Sequence, residues 1–305
     1  MKKSIISNPV LTKALLVLTA IALVSLLSGC GKDKGANDSG KIKIVAAENF
    51  YGEVAQAVGG DLVEVVSLLT GPDMDPHDFE PTPQASKDVN AAQVIIYNGI
   101  GYDAWINKII DASGDVKNKT VIAVASDVMG KKEGDNEHQW YNPETFPKYA
   151  KDLAEKLGQI DPDHVATYTK QADAYMATLT PLIDLVKELR QATTVPIAVS
   201  EPIFDYMAEA LNLNVIDKKF EMAAEKGIDP SPANVAQLQD DIKAKKIKMF
   251  VNNIQSSSPI IENMITLSKE NGIPIIEVTE TLPKDKTYIQ WMMDILIQIK
   301  AALQS

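Results

Sequence analysis

Two histidines and two glutamates in this chain have the chemistry to share a divalent cation: His77, His138, Glu201 and Glu280. His77 is one of only three histidines in 305 residues. It lies in residues 71–83, GPDMDPHDFEPTP, among the acids Asp73, Asp75, Asp78 and Glu80. Pro72, Pro76, Pro81 and Pro83 stiffen that stretch, because proline fixes φ and restricts the residue before it. Taken alone, the loop reads first as an ordinary connection between two elements. His138 sits in a polar stretch, KKEGDNEHQ, directly before Trp140 and Tyr141. Glu201 follows the apolar run PIAVS, and Glu280 follows IPIIEV by one threonine. The third histidine, His164, falls in the first turn of a long helix and reads as surface.

Two neutral imidazoles and two carboxylates carry a charge of −2, which balances a divalent cation. Zn2+ accepts such a set in a tetrahedral shell. Mn2+ tolerates imidazole, prefers oxygen, and gains coordination when a carboxylate binds through both oxygens. Cu(I) would want sulfur, and Ca2+ or Mg2+ would not want two imidazoles. The four residues are far apart in sequence, so spacing alone does not establish a site. They need a fold that brings them together.

The chain supplies a suitable rhythm. Strands are predicted over residues 41–47, 62–69, 94–97 and 121–125, separated by helices over 49–58, 83–92 and 104–112, with a further helix over 143–157. Asn49 is a candidate cap for the first of these helices, and Thr82-Pro83 for the second. From 161 to 193 the apolar residues Val165, Tyr168, Ala172, Tyr175, Leu179, Leu182, Val186 and Leu189 recur in steps of three and four. That is one continuous helical stripe. About 28 helical residues would span about 42 Å, with a kink at Pro181. The rhythm then restarts. Strands are expected over 196–200, 249–252 and 273–278, and helices over 203–211, 231–245, 259–269 and 288–303. Strands alternating with helices imply mainly parallel sheets covered on both faces. The expected fold is therefore α/β, with two lobes, 41–160 and 194–305, each a mainly parallel sheet flanked by helices, joined by one long backbone helix over 161–193. All four candidate ligands then follow strands, where open α/β sheets bind ligands, two from each lobe.

Residues 1–29 are set apart from this fold. Lys2, Lys3 and Lys13 precede an apolar run ending in Leu27-Ser28-Gly29-Cys30. A basic start, a short apolar core and small residues before a cut mark a secretory signal. The run is about 14 residues, short of the roughly 20 of a membrane span. Cys30 is the single cysteine, so no internal disulfide can form. Residues 30–40 are polar and rich in glycine, as a tether would be. The net charge of −11 argues against nucleic acid as a partner.

Several motifs resemble one known family. MDPHDFEPTP, VIIYNGIGYDAW, EHQWYNPE, SEPIFDYMAEALNL and DPSPANVAQLQ occur in that order over nearly all of residues 30–305. They resemble the zinc/manganese-type solute-binding lipoproteins of bacterial metal ABC importers (cluster A-I of the periplasmic-binding-protein-like proteins). The resemblance implies two lobes on one long helix with Mn2+ or Zn2+ buried between them. It implies His77, His138 and Glu201 as metal ligands, with either Thr279 or Glu280 at the last position, of which only Glu280 has a carboxylate. Leu27-Ser28-Gly29-Cys30 resembles a lipoprotein box, implying lipidation of Cys30 and anchorage outside the cell membrane. Two features depart from the family pattern: no Asp-Pro precedes His138, and the usual late Asp is missing. The histidine-rich loop of many zinc importers is also absent, which tilts the reading toward manganese. The implied function is capture of the metal and delivery to an ABC permease and its ATPase, by a monomer without enzymatic turnover. The competing classes are a metal-dependent hydrolase, which needs an open coordination position, and a surface adhesin lipoprotein.

Overall fold

The computed structural model describes residues 40–71, 76, 79–114 and 116–305. Cys30, the signal segment 1–29, the tether up to residue 39 and His77 lie outside the described residues. Lys41–Ser305 form one compact unit.

The first sheet contains β1 (Ile42–Glu48), β2 (Val63–Leu69), β3 (Val94–Tyr97) and β4 (Thr120–Ala123). Its strands are all parallel, in the order β2-β1-β3-β4. The second sheet repeats that order. β5 (Val195–Val199), β6 (Leu213–Val215), β7 (Phe250–Asn253) and β8 (Ile275–Val278) align as β6-β5-β7-β8, again all parallel. Each sheet thus reverses its winding beside its first strand, the topological switch point where such sheets bind ligands.

The helices of the first half are α1 (Asn49–Gly59), α2 (Pro83–Ala91), α3 (Trp105–Ala112) and α4 (Thr145–Ile160). The linking stretch is α5 (Val165–Thr178) and α6 (Thr180–Leu189). The second half has α7 (Asp205–Ala210), α8 (Lys218–Glu225), α9 (Pro232–Lys243), α10 (Pro259–Glu270) and α11 (Tyr288–Gln304). Thr82 caps α2 by accepting from Ala85 N at 3.1 Å, and Ser231 caps α9 by accepting from Asn234 N at 3.3 Å. Asn49 does not cap. It is the first residue of α1, and its side-chain amide instead donates to Leu282 O at 3.1 Å in the second half.

The long helix is bent. α5 and α6 are separated by the single residue Leu179, and Pro181 stands in the first turn of α6. Proline at that point lacks an N–H, so the chain steps into a new first turn there. The kink expected at Pro181 is present, and it divides the linking helix into two segments.

Period-two alternation explains how the layers meet. Ile44, Ala46, Val94, Ile96 and Ile122 point to one face of the first sheet, and Ile197, Val199, Val251, Ile276 and Val278 to one face of the second. All ten belong to a single core, which continues through Phe146, Leu153, Tyr168, Tyr175, Leu182, Val186 and Trp291. The opposite faces build separate clusters, one around Val45, Ile95 and Trp105, the other around Ala198, Phe250 and Ile242. The two sheets are therefore fastened by a shared core as well as by the linking helices. Phe146 stacks on Tyr288 with ring centroids 3.7 Å apart. Tyr288 OH donates to Trp140 O at 2.8 Å, and its backbone N–H donates to Glu53 at 2.8 Å.

β6 and α8 were not anticipated. β6 has three residues with an exposed asparagine in the middle, and α8 buries only Phe220 and Glu221. β6 is too short to display a period, and the two buried residues of α8 are adjacent, so it presents no apolar stripe.

Candidate metal centre

His138 lies in the polar stretch that follows β4 and a helical turn over Val124–Val128, and Asn136 orients it. Asn136 Oδ1 accepts from the backbone N–H of His138 at 2.9 Å and lies 3.0 Å from its Nδ1. An amide oxygen can only accept, so Nδ1 carries the proton and Nε2 is left as the electron-pair donor. The amide is itself held from the second half of the chain. Its Nδ2 donates to Pro202 O at 2.6 Å and to Asp205 Oδ2 at 3.2 Å, and Tyr206 OH donates to Asn136 O at 2.8 Å. Behind the imidazole stands an aromatic wall. Trp140 lies 5.2 Å from the His138 ring, Tyr102 lies 4.6 Å from Trp140, and Phe50 lies 5.0 Å from Trp140.

Glu280 comes from the loop after β8. Its Oε1 lies 3.5 Å from His138 Nε2, with both side chains buried. Burial works against a charged imidazole. The close Glu280 carboxylate and the charges of Glu225 and Glu137 outweigh it and hold the His138 pKa above its usual value. The neighbouring Thr279 takes another part: its carbonyl accepts from Tyr141 OH at 2.7 Å, while its buried hydroxyl has no hydrogen-bond partner.

Glu201 is buried just past β5, and Asn253 Nδ2 donates to its Oε2 at 2.7 Å. Asn253 also donates its backbone N–H to Ser200 Oγ at 2.9 Å, and its Oδ1 accepts from Gln255 N at 3.1 Å. Gln255 Oε1 then accepts from the backbone of Glu280 at 2.6 Å and of Thr281 at 3.1 Å. A polar ladder across the carboxyl ends of β5, β7 and β8 thus ties the mount of Glu201 to that of Glu280. The structure brings His138 and Glu280 into contact, and it seats Glu201 on Asn253. His77 lies outside the described residues. Its flanks are fastened: Pro76 O accepts from Trp105 Nε1 at 3.2 Å, and Phe79 lies 4.5 Å from the Trp105 ring.

Sequence reasoning missed Asn136, Asn253 and Gln255. Each is an amide next to a candidate ligand or strand end, a placement with no distinctive signal when the partner is remote. Glu225 was missed because α8 was missed. One ligand atom each from Glu137, His138 and Glu225 lie within 4.8 Å of one another.

Two sheets of the same winding, with His138 beyond one and Glu280 beyond the other, define a two-lobed binding protein for a cation. The model of the ZnuA family, described as zinc-uptake complex component A, periplasmic, matches residues 44–302. The chain belongs to that family. It is 30% identical over 279 residues to the manganese ABC transporter substrate-binding lipoprotein scaA of Streptococcus gordonii, covering 85% of this chain and 86% of that protein. It is 28% identical over 312 residues to the iron ABC transporter substrate-binding lipoprotein MtsA of Streptococcus pyogenes, covering 92% of this chain and 96% of that one. In fold it matches the solute-binding protein FpvC of Pseudomonas aeruginosa, solved with Mn2+, with a TM-score of 0.70 at 24% identity over 87% of this chain and 98% of that one.

Proposed function

We propose that this protein captures a divalent transition metal, Mn2+ or Zn2+, outside the cell and passes it to an ABC permease. The observation that carries this reading is the buried approach of His138 Nε2 to Glu280 across the two lobes. Such a pair is costly to bury without a cation or a proton between its members. His138, Glu280 and Glu201, with His77 as the fourth donor, would close a coordination shell, which is what transport requires and hydrolysis does not. Relatives named for manganese and iron support a transported transition metal.

The organisation that accompanies this reading is a lipoprotein signal over 1–29, a tether over 30–40 with lipidation at Cys30, and lobes over 41–160 and 194–305 joined through 161–193. Relatives named as lipoproteins support the anchor on the outer face of the membrane. Among the described residues no helix is long and apolar enough to cross a membrane.

The test is a titration of metal-stripped protein with Mn2+ and Zn2+ while thermal unfolding is followed. A ligand that binds only the folded state at 100 times its Kd adds about 2.7 kcal/mol. A rise in Tm with either cation, lost in His77→Ala and retained in His164→Ala, supports the reading. An unchanged Tm with both cations refutes it.

A further inference from the structure

The imidazole of His138 belongs to two donor sets. Toward the buried side it meets Glu280. The other set is Glu137, from its own loop, and Glu225, from the last turn of α8, with ligand atoms within 4.8 Å of one another. The two glutamates are half-buried where His138 is buried. They line a cavity of about 360 Å³ between the loop at Gly134 and Asn136 and helix α8. Gly134 and Met222 at its edge are exposed. Glu221 also lines this cavity, fully buried, with no hydrogen-bond partner for Oε2 among the described residues. The nearest cation, Lys218, is divided between Glu221 Oε1 at 3.0 Å and Asp205 at 2.6 Å.

We propose that Glu225, Glu137 and His138 form an outer divalent-cation station from which the metal moves to the inner site. The inference rests on the metal-capture reading and adds a route to it. Two carboxylates and one neutral imidazole balance M2+. Because Asn136 occupies Nδ1, only Nε2 can bind, so the outer and inner sets cannot be filled through His138 together. A cation reaching the outer station sheds part of its water there. It then exchanges Glu137 and Glu225 for Glu280 while the imidazole nitrogen remains bound. No step requires a bare ion to cross the buried wall, and release retraces the path.

A station on the route lowers the barrier for passage in both directions and leaves the end state alone. The experiment is rapid mixing of Mn2+ with the purified full chain in detergent, followed by fluorescence of Trp140 and the other tryptophans, with release triggered by a chelator. Glu225→Gln is expected to slow binding and release together by about fivefold, with Kd within about twofold of wild type. Glu137→Gln gives a second reading of the same paired slowing. Rates unchanged in both variants overturn the station. So does faster release at an unchanged binding rate, which would make Glu225 a ligand of the final shell. Wild type that binds neither Mn2+ nor Zn2+ defeats the capture reading as well. Wild type that binds while both variants behave like it defeats the station alone.

Discussion

His138 Nε2 and Glu280 Oε1 lie 3.5 Å apart, one beyond the last strand of the first sheet and the other beyond the last strand of the second. This contact joins the carboxyl edges of the two sheets at a buried point. The Asn136 amide holds one side of it, and the Asn253–Gln255 ladder holds the other.

Glu280 and Thr279 should separate cleanly by mutation. Glu280→Gln removes the charge facing His138 and is expected to weaken Mn2+ at least as much as losing a residue that orients a ligand, about 10- to 100-fold. Thr279→Val removes a hydroxyl that makes no hydrogen bond and keeps the carbonyl that accepts from Tyr141. Its affinity should stay near wild type. Titration calorimetry distinguishes the two.

Asn136 is a positioning residue. Asn136→Ala frees the His138 ring and cuts the bonds to Pro202 and Asp205. Mn2+ affinity should fall about tenfold or more. Asn136→Asp keeps an acceptor for Nδ1, but it loses the donor to Pro202 O and places a second carboxylate beside Asp205. It should recover part of the affinity while lowering Tm. Equal effects of both variants on affinity would count against a role through ring orientation.

The buried acids Glu48 and Asp103 should respond oppositely to neutralisation. Asp103 accepts from Asn98 N at 2.6 Å and from Gly99 N at 2.8 Å. Burial, then the nearby Asp103 charge, holds the Glu48 pKa well above the ordinary carboxylate value. Burial raises the Asp103 pKa as well, opposed by those two backbone donors, so the pair favours the neutral form at Glu48, where an amide can stand in. Glu48→Gln should leave stability near wild type. Asp103→Asn loses charge-assisted acceptance from two backbone donors and should cost about 1–3 kcal/mol in urea unfolding at neutral pH.

Metal-free stability should fall as pH rises from the ordinary carboxylate range through about 8. Burial, chiefly, pushes Asp217 up to about 7 and Glu221 up to about 8, with Asp205 adding to both and Lys218 opposing. A raised folded pKa means that the native state holds protons that the unfolded chain has already lost. The contribution is complete below the unfolded carboxylate value and disappears as pH climbs through the folded values. Denaturant midpoints of the metal-free wild type should therefore decline between about pH 5 and pH 9. In Asp217→Asn combined with Glu221→Gln the slope should flatten. An equal slope would place the proton uptake elsewhere.

The amino-acid sequence by itself determined the alternation of strands and helices, the parallel sheets, the cap at Thr82, and the placement of Glu201 and Glu280 just beyond strands. These are local properties. A strand reports its two faces every second residue, a helix its apolar stripe every third or fourth, and a cap its own first turn. β6, too short to complete a period, and α8, whose buried residues Phe220 and Glu221 are adjacent rather than striped, left no trace, and Glu225 was lost with them. Tertiary structure alone decided that the inner faces of both sheets share one core, that Tyr288 reaches across to Trp140, and that Glu280 rather than the Thr279 hydroxyl approaches His138. It also decided that Asn136 takes its orientation from Pro202 and Asp205. A buried aromatic or a loop amide looks the same in sequence whatever it touches. Its partner is chosen by which surfaces exclude water together, and that choice is made between residues far apart along the chain.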